Sequence, residues 1–395
     1  MPIGTPFHPR TAALNEPGHW RDWSGYKAAG SYAVHHEREY NAIRQGCALI
    51  DVSPLFKYRL AGRDAARLID RVVTRDASKL KPGQVAYTHW CDAEGKVIDD
   101  GTVSNLGGGV YRWTAAEPTL RWIEMNAHGL SVDVQDVSAS TAALALQGPT
   151  SRDVLRACTE GDIARLRYFR VLPAKIAGVA VEISRTGYTG DLGYEVWVPA
   201  EGALPVWDAL VQAGGAYGLV PTGILALDVA RIEAGLILLD VDYTSARKAV
   251  IASQKSSPYE IGLGRSVQLD KGPFVGRAAL RREVQSGPPT QLMGLEVDWE
   301  DLERLHDEVG LTPQLPAVAS RASLPVYREG LQVGKATSQT WSPTLKKYLA
   351  LATLTSEVAR VGSRLSMELT VDHRRREVGV KVVELPFFDP PRKRA

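Results

Sequence analysis

From Phe56 to Val137 the apolar pattern switches back and forth between strand and helix periods, with Gly and Pro turns at the switches. No single long helix, coiled coil or fully parallel α/β unit fits such a pattern. Phe56–Leu60 alternates as a strand. Asp64–Val73 then reads as a helix, with Asp64 as N-cap and Leu68, Ile69 and Val72 as its apolar stripe. Strands follow over Val85–Trp90, Lys96–Ser104 and Val110–Thr114, separated by turns at Asp92–Gly95 and Gly107–Gly109. A helix over Pro118–Ala127 and a strand over Ser131–Val137 complete the order β-α-β-β-β-α-β. That order is a ferredoxin-like α+β module with one added strand.

Similar elements precede and follow it. His35–Cys47 reads as a helix with Tyr40, Ile43 and Cys47 at helical spacing. Ala142–Leu146 is a strand, Thr150–Ala157 a helix, Val179–Ser184 and Tyr194–Val198 strands, and Leu204–Gly218 and Pro221–Ala234 helices. No fixed-period repeat occurs, which argues against a solenoid. Ala317–Leu369 changes to short β-branched strands between Gly and Pro turns, the pattern of a small β-barrel or sandwich. The acidic, Pro-terminated stretch Glu296–Pro316 reads as an insertion or linker.

Charge and cysteine usage narrow the function classes. Lys+Arg is 47 and Asp+Glu is 45, leaving +2, so no basic excess points to nucleic acid. Cys47, Cys91 and Cys158 form no CxxC pair and no disulfide framework, which favours a reducing, cytoplasmic location. No apolar run approaches the roughly 18 residues that cross a bilayer, so no membrane partner is expected. The start Met1–Arg10 lacks the apolar core of a signal peptide. No GxGxxG follows a strand, and no Walker loop, HExxH or G-x-S-x-G occurs. The eight His do not cluster at metal-ligand spacing.

Three constellations remain. In Val97-Ile-Asp-Asp-Gly101 two adjacent carboxylates lie inside an apolar strand, where burial without partners is costly. Strand alternation sends Asp99 and Asp100 to opposite faces, so one faces a cleft or a donor, unless both are solvated acids at a strand end. In Arg185-Thr-Gly-Tyr-Thr-Gly-Asp-Leu-Gly-Tyr-Glu195 the glycines suit either a close approach of backbone to ligand or a plain hairpin. In Ala230-Arg-Ile-Glu-Ala-Gly235 a charged pair interrupts an apolar helix end, where an arginine can also simply cap carbonyls.

Taken in order, these stretches resemble the aminomethyltransferase (glycine-cleavage T-protein) family, whose members bind tetrahydrofolate. The resemblance includes Gly46–Ser53, Val73–Asp76, Gly83–Tyr87, Gly95–Asp100, Ala145–Pro149, Thr186–Gly190 with Gly193–Glu195, Arg231–Leu236 and Thr337–Lys347. It implies a three-domain cloverleaf of two ferredoxin-like, antiparallel α+β domains and a C-terminal β-barrel around a central folate site. The units are expected at 1–55 with 140–285, at 56–139 and at 286–395.

Carried over position by position, the resemblance makes Asp100 the catalytic aspartate and Tyr87 and Tyr188 folate-site tyrosines. Glu195 and Arg231 become the residues that hold the pterin. Several positions depart from the family pattern: Pro54, Trp113–Ala116, Gly101–Val103 and Asp191. The pterin-holding set is kept while positions toward the one-carbon donor differ. The expected activity is therefore transfer of a methyl group from a small O-, N- or S-methyl donor to tetrahydrofolate. A true T-protein, acting on the lipoyl arm of H-protein, is the alternative. A third branch, folate-binding maintenance factors for iron–sulfur proteins, carries a cysteine where this chain has Gly187.

Overall fold

The computed structural model describes residues 1–395 and organises them around three large sheets, beside a two-stranded hairpin of Trp20–Trp23 and Tyr26–Ala29. The first has seven strands in the order 159–160, 171–176, 179–184, 193–199, 141–147, 47–51, 219–221. All its pairings are antiparallel except the last, where Leu219–Pro221 runs parallel to Cys47–Asp51. Strand Thr141–Gln147 shows why this sheet is buried on both sides. Leu144 and Leu146 pack with Val154, Leu155, Val206 and Trp207 of helices Ser151–Cys158 and Ala203–Gly214. Ala143 and Ala145 point the other way and let Tyr40, Ile43, Ala226 and Ala230 of helices Glu37–Gln45 and Ile224–Glu233 approach closely.

The second sheet has five strands in the order 85–91, 97–107, 110–115, 56–61, 133–136. Helices Ala65–Val72 and Leu120–Asn126 cover one face through Leu68, Ile69, Val72 and Ile123, against Tyr58, Val103 and Trp113. Trp90 and Trp113 meet edge to face at 5.0 Å in that core. The opposite face therefore turns toward the rest of the molecule. The third sheet is a closed six-strand barrel, ordered 290–297, 347–355, 331–342, 324–328, 364–371, 374–383.

Three local expectations are corrected. Glu296–Pro316 is not a plain linker: Glu296 and Val297 end the first barrel strand, and Trp299–Asp307 is a helix. Asp298 accepts from the Asp301 N–H as its N-cap, and Leu302 and Leu305 sink into the barrel core beneath an acidic outer face. The barrel also extends beyond Ala317–Leu369 on both sides. Strand Val171–Ile176 was not anticipated, because Pro173 and Lys175 break its pattern. Residues 237–285 wrap the end of the five-stranded sheet, burying Ile237, Leu239, Tyr243, Ile261, Phe274 and Leu280 against Cys91 and Val97.

Candidate functional site

The two adjacent aspartates separate as strand alternation requires. Asp99 pairs in register with Trp90 and points into the helix-covered core, fully buried. Its Oδ2 accepts the N–H groups of Ala116 and Glu117 at 3.1 and 3.0 Å, and its Oδ1 accepts the Asp100 N–H at 2.7 Å. Burial and the neighbouring Asp100 charge raise its pKa well above the usual carboxylate range. Asp99 is thus an anchor for the turn after Ala115.

Asp100 faces the interior of the molecule. Tyr87 donates to its Oδ2 at 2.7 Å, and Tyr243 donates to its Oδ1. Burial raises the Asp100 pKa, and the hydroxyls of Tyr243 and Tyr87 oppose that rise. Burial and the Asp100 charge push Tyr87 well above its ordinary value, so both tyrosines are neutral donors. By register the same sheet face carries Thr102, Ser104, Arg112 and Thr114. Thr114 Oγ1 receives the Thr102 N–H at 2.9 Å and lies 2.8 Å from the Thr102 hydroxyl. Gly101 makes this crossing possible, since a Cβ there would stand 2.0 Å from Thr114 O.

The glycine-rich loop is built around one buried amide. Gln147 Nε2 donates to Thr186 O and Tyr194 O at 3.2 and 3.1 Å, and its Oε1 accepts from Thr189 at 2.9 Å. Gly187 and Gly193 leave room for that side chain: a Cβ on either would lie 2.1 Å from Gln147 Oε1. The loop so held places Tyr188, which donates to Ile237 O. Burial raises the Tyr188 pKa, which Arg231 opposes and the Asp100 charge reinforces. Glu195, across the hairpin from Ser184, accepts from Thr186 at 2.5 Å and from Ser184 at 3.4 Å, both on Oε2. Its Oε1 accepts no protein hydrogen bond. Burial raises the Glu195 pKa against these hydroxyls and the nearby Arg112.

Arg231 sits elsewhere in the network than beside Glu195. Its Nε meets Asp228 at 2.8 Å and its Nη1 meets Asp242 at 2.6 Å and Leu236 O at 3.3 Å. Nη2 donates to Ser338 at 2.8 Å. Of five guanidinium hydrogens, one on Nη2 stays uncommitted. Burial disfavours the charge, but Asp242, Tyr188 and Asp228 outweigh it and hold Arg231 above its ordinary value. Glu233 is not its partner either: it binds Arg44 at 2.6 Å, with Ser342 and Tyr40 hydroxyls at 2.6 and 2.5 Å.

The Thr337–Lys347 stretch explains itself here. Hydroxyls of Thr337 and Ser338 donate to Asp242 at 2.6 Å, and the Thr344 hydroxyl lies 2.6 Å from the Tyr40 oxygen, which also accepts the Thr344 N–H at 3.3 Å. The barrel is thereby clasped to the acids around helix Ile224–Glu233. Asp191 has a related role, taking Arg392 on both oxygens at 2.7 and 2.8 Å and so tying down residues near the end of the chain.

The structure thus brings Tyr87, Asp100 and Tyr188 together, sets Glu195 across the hairpin from Ser184, and places Arg231 near Tyr188. Sequence reasoning missed Tyr243 and Arg112. Tyr243 lies in an irregular segment whose contacts no periodicity reveals. Arg112 carried one usable signal, a charge in a strand otherwise rich in Val, Tyr and Trp. Its guanidinium lies over the Trp197 ring at 4.1 Å and pairs with Glu182, while Nε and Nη2 have no partner.

Known proteins carry the same architecture. The GCVT N-terminal domain model matches residues 8–271, and the glycine cleavage T-protein C-terminal barrel domain model matches residues 307–389. An aminomethyltransferase of Geobacillus kaustophilus is 34% identical, covering 89% of this chain and 90% of its own. A trimethylamine-oxide aldolase of Ruegeria pomeroyi is 34% identical across 99% of this chain, which spans only 47% of that protein. The crystal structure of glycine cleavage system aminomethyltransferase T from Bartonella henselae superposes with a TM-score of 0.83 at 23% identity, over 98% of this chain and 99% of that one. The sequence relatives define an enzyme. The chain belongs to the glycine cleavage T-protein family. No helix in it is long and apolar enough to cross a membrane.

Proposed function

We propose that this enzyme moves a methyl group from a small O-, N- or S-methyl donor to tetrahydrofolate. The observation that carries the folate half is the set of uncommitted polar atoms. Glu195 Oε1, Nε and Nη2 of Arg112, and one hydrogen on Arg231 Nη2 offer an acceptor and donors. A pterin presents a ring N–H and an exocyclic amine beside ring acceptors, so these residues fit it. Glu195 would accept from the pterin donors, with its pair held by Thr186.

When bound, tetrahydrofolate supplies the nitrogen that takes up the one-carbon unit. Asp100 is the one partly accessible carboxylate held by two tyrosine hydroxyls, with a pKa raised by burial. It stabilises positive charge developing beside it and can hold, then release, the proton that the leaving heteroatom requires. Tyr87 and Tyr243 fix its orientation, so neither oxygen can turn away.

Two observations favour a small donor. The sheet face beside Asp100 is filled by the Thr102–Thr114 pair and the Arg112–Trp197 stack. The relative matching 99% of the chain is named for an aldolase of a small amine oxide. The second reading is a true T-protein acting on lipoyl H-protein, favoured by the aminomethyltransferase names of several relatives. Incubation with tetrahydrofolate and either a panel of methylated small molecules or aminomethylated H-protein decides. 5-Methyl-tetrahydrofolate supports the first reading. 5,10-Methylene-tetrahydrofolate with ammonia supports the second. Neither product from any donor removes the transferase reading.

A further inference from the structure

A cavity of about 750 Å³ opens beside the edge of the seven-stranded sheet, and neither Thr186 nor Glu195 lines it. Six arginines line it: Arg152, Arg165, Arg167, Arg170, Arg185 and Arg394. They come from helix Ser151–Cys158, from the loop before strand Val171–Ile176, from the residue after strand Val179–Ser184, and from near the end of the chain.

Their own partners leave about half of the charge unmatched. Arg165 pairs with Asp162 at 3.0 Å and Arg394 with Asp389 at 2.9 Å. The other four have no carboxylate side chain, although Arg152 and Arg185 share the terminal α-carboxyl group of Ala395, which leaves Arg167 and Arg170 with no anionic partner. Arg152 donates to the Tyr194 hydroxyl and to Ala395 O, both at 3.0 Å. Arg170 donates to Phe169 O at 3.0 Å. Arg185 is 4% exposed and donates to Leu166 O, Lys393 O and Ala395 O at 3.4, 3.2 and 2.5 Å, while its Nε has no partner. Arg167 is exposed and carries no ion pair.

Like charges gathered around one cavity repel, and the buried Arg185 guanidinium, whose Nε has no acceptor, is costly. Neither the Thr186–Glu195 pair nor the Asp100 cluster uses these groups. Guanidinium forks match the paired oxygens of phosphate and carboxylate groups. A singly charged anion would answer one fork and leave the rest unmatched. We propose that this cavity is a binding site for a small polyanion, one bearing two or more phosphate or carboxylate groups. Two compounds of that chemistry, pyrophosphate and citrate, serve as separate probes of the two sources.

The inference is independent of the folate reading, and so is its test. Calorimetry on the full chain, at about 50 mM salt, is expected to give saturable one-to-one binding of at least one probe. Affinity should fall at least about tenfold as salt rises to about 250 mM, because screening weakens each charge pair. Arg167→Glu and Arg170→Ala should each weaken binding at least about tenfold while leaving the thermal melt intact. Glu195→Gln should leave it unchanged, which separates this cavity from the folate site. Acetate should show no saturable binding. Absence of saturable heat with both probes would overturn the proposal. So would unchanged binding in both arginine variants, or acetate binding as well as the probes.

Discussion

Substituting Asp99 and Asp100 separately by Asn should produce opposite failures, and the hydrogen-bond geometry sets the sizes. Asp99 is fully buried and accepts three main-chain N–H groups, two on Oδ2 and one on Oδ1. In Asp99→Asn the least harmful orientation keeps oxygen toward Ala116 and Glu117 and turns the amide N–H₂ against the Asp100 N–H. One buried donor then faces another, and the Asp100 N–H loses its acceptor. The expected loss is about 2–4 kcal/mol of folding stability. Turnover per folded molecule should fall little.

Asp100→Asn differs because its partners are hydroxyls. Tyr87 and Tyr243 can each donate or accept, so one keeps donating to the amide oxygen while the other rotates to accept from the amide nitrogen. Stability should change by less than about 1 kcal/mol. The negative charge and the proton-holding group are gone, so turnover should drop by about 10²–10⁴-fold with tetrahydrofolate affinity nearly unchanged. The assays are urea unfolding, calorimetric folate binding and rate of folate product formed, run on both variants. An inactive Asp99→Asn at full stability, beside a near-normal Asp100→Asn, would show that the wrong carboxylate had been assigned to the chemistry.

Other expectations can be checked alongside. Glu195→Gln places an amide against the pterin donors and should weaken tetrahydrofolate binding by about 1.5–3 kcal/mol, read by calorimetry. Arg231→Met leaves the buried Asp242 without a counter-charge, while Asp228 keeps Arg321 at 2.7 Å, and should lower unfolding free energy by about 3–5 kcal/mol, seen as an early melt. His89 is fully buried, and burial followed by Arg75 lowers its pKa to about 3. Its folded pKa lies below the unfolded value of 6.5, so its contribution is intact above pH 6.5 and is lost as pH falls toward 3. Between pH 7 and 4.5 that loss is about 3 kcal/mol, and His89→Gln should remove this part of the pH slope in urea titrations.

What the sequence disclosed depended on whether a residue's role was local. The alternation around Asp99 and Asp100 required that the two point opposite ways, because strand period two acts residue by residue. It could not say which face would be covered by helices and which would meet Tyr243, more than 140 positions away in an irregular segment. The glycines of Thr186–Glu195 marked a close approach correctly, yet the group approached is the side chain of Gln147, a residue with no such mark of its own. Arg231 and Glu233 looked like a pair at the end of one helix. They diverge because Asp242 and Ser338 meet one and Arg44 and Ser342 the other.

The same contrast explains the loop of arginines before Val171. Spaced along an irregular stretch, Arg165, Arg167 and Arg170 look like solvated surface charge. Only the fold adds Arg152 from a helix and the buried Arg185 from the next strand's end, converting scattered charge into one lined cavity. Motif spacing reaches a site when one element presents it, as with Tyr87 and Asp100 on neighbouring strands. It fails where several elements each contribute one side chain, because the constraint then lies in the packing of the Leu144 and Ala145 faces that set those elements beside one another.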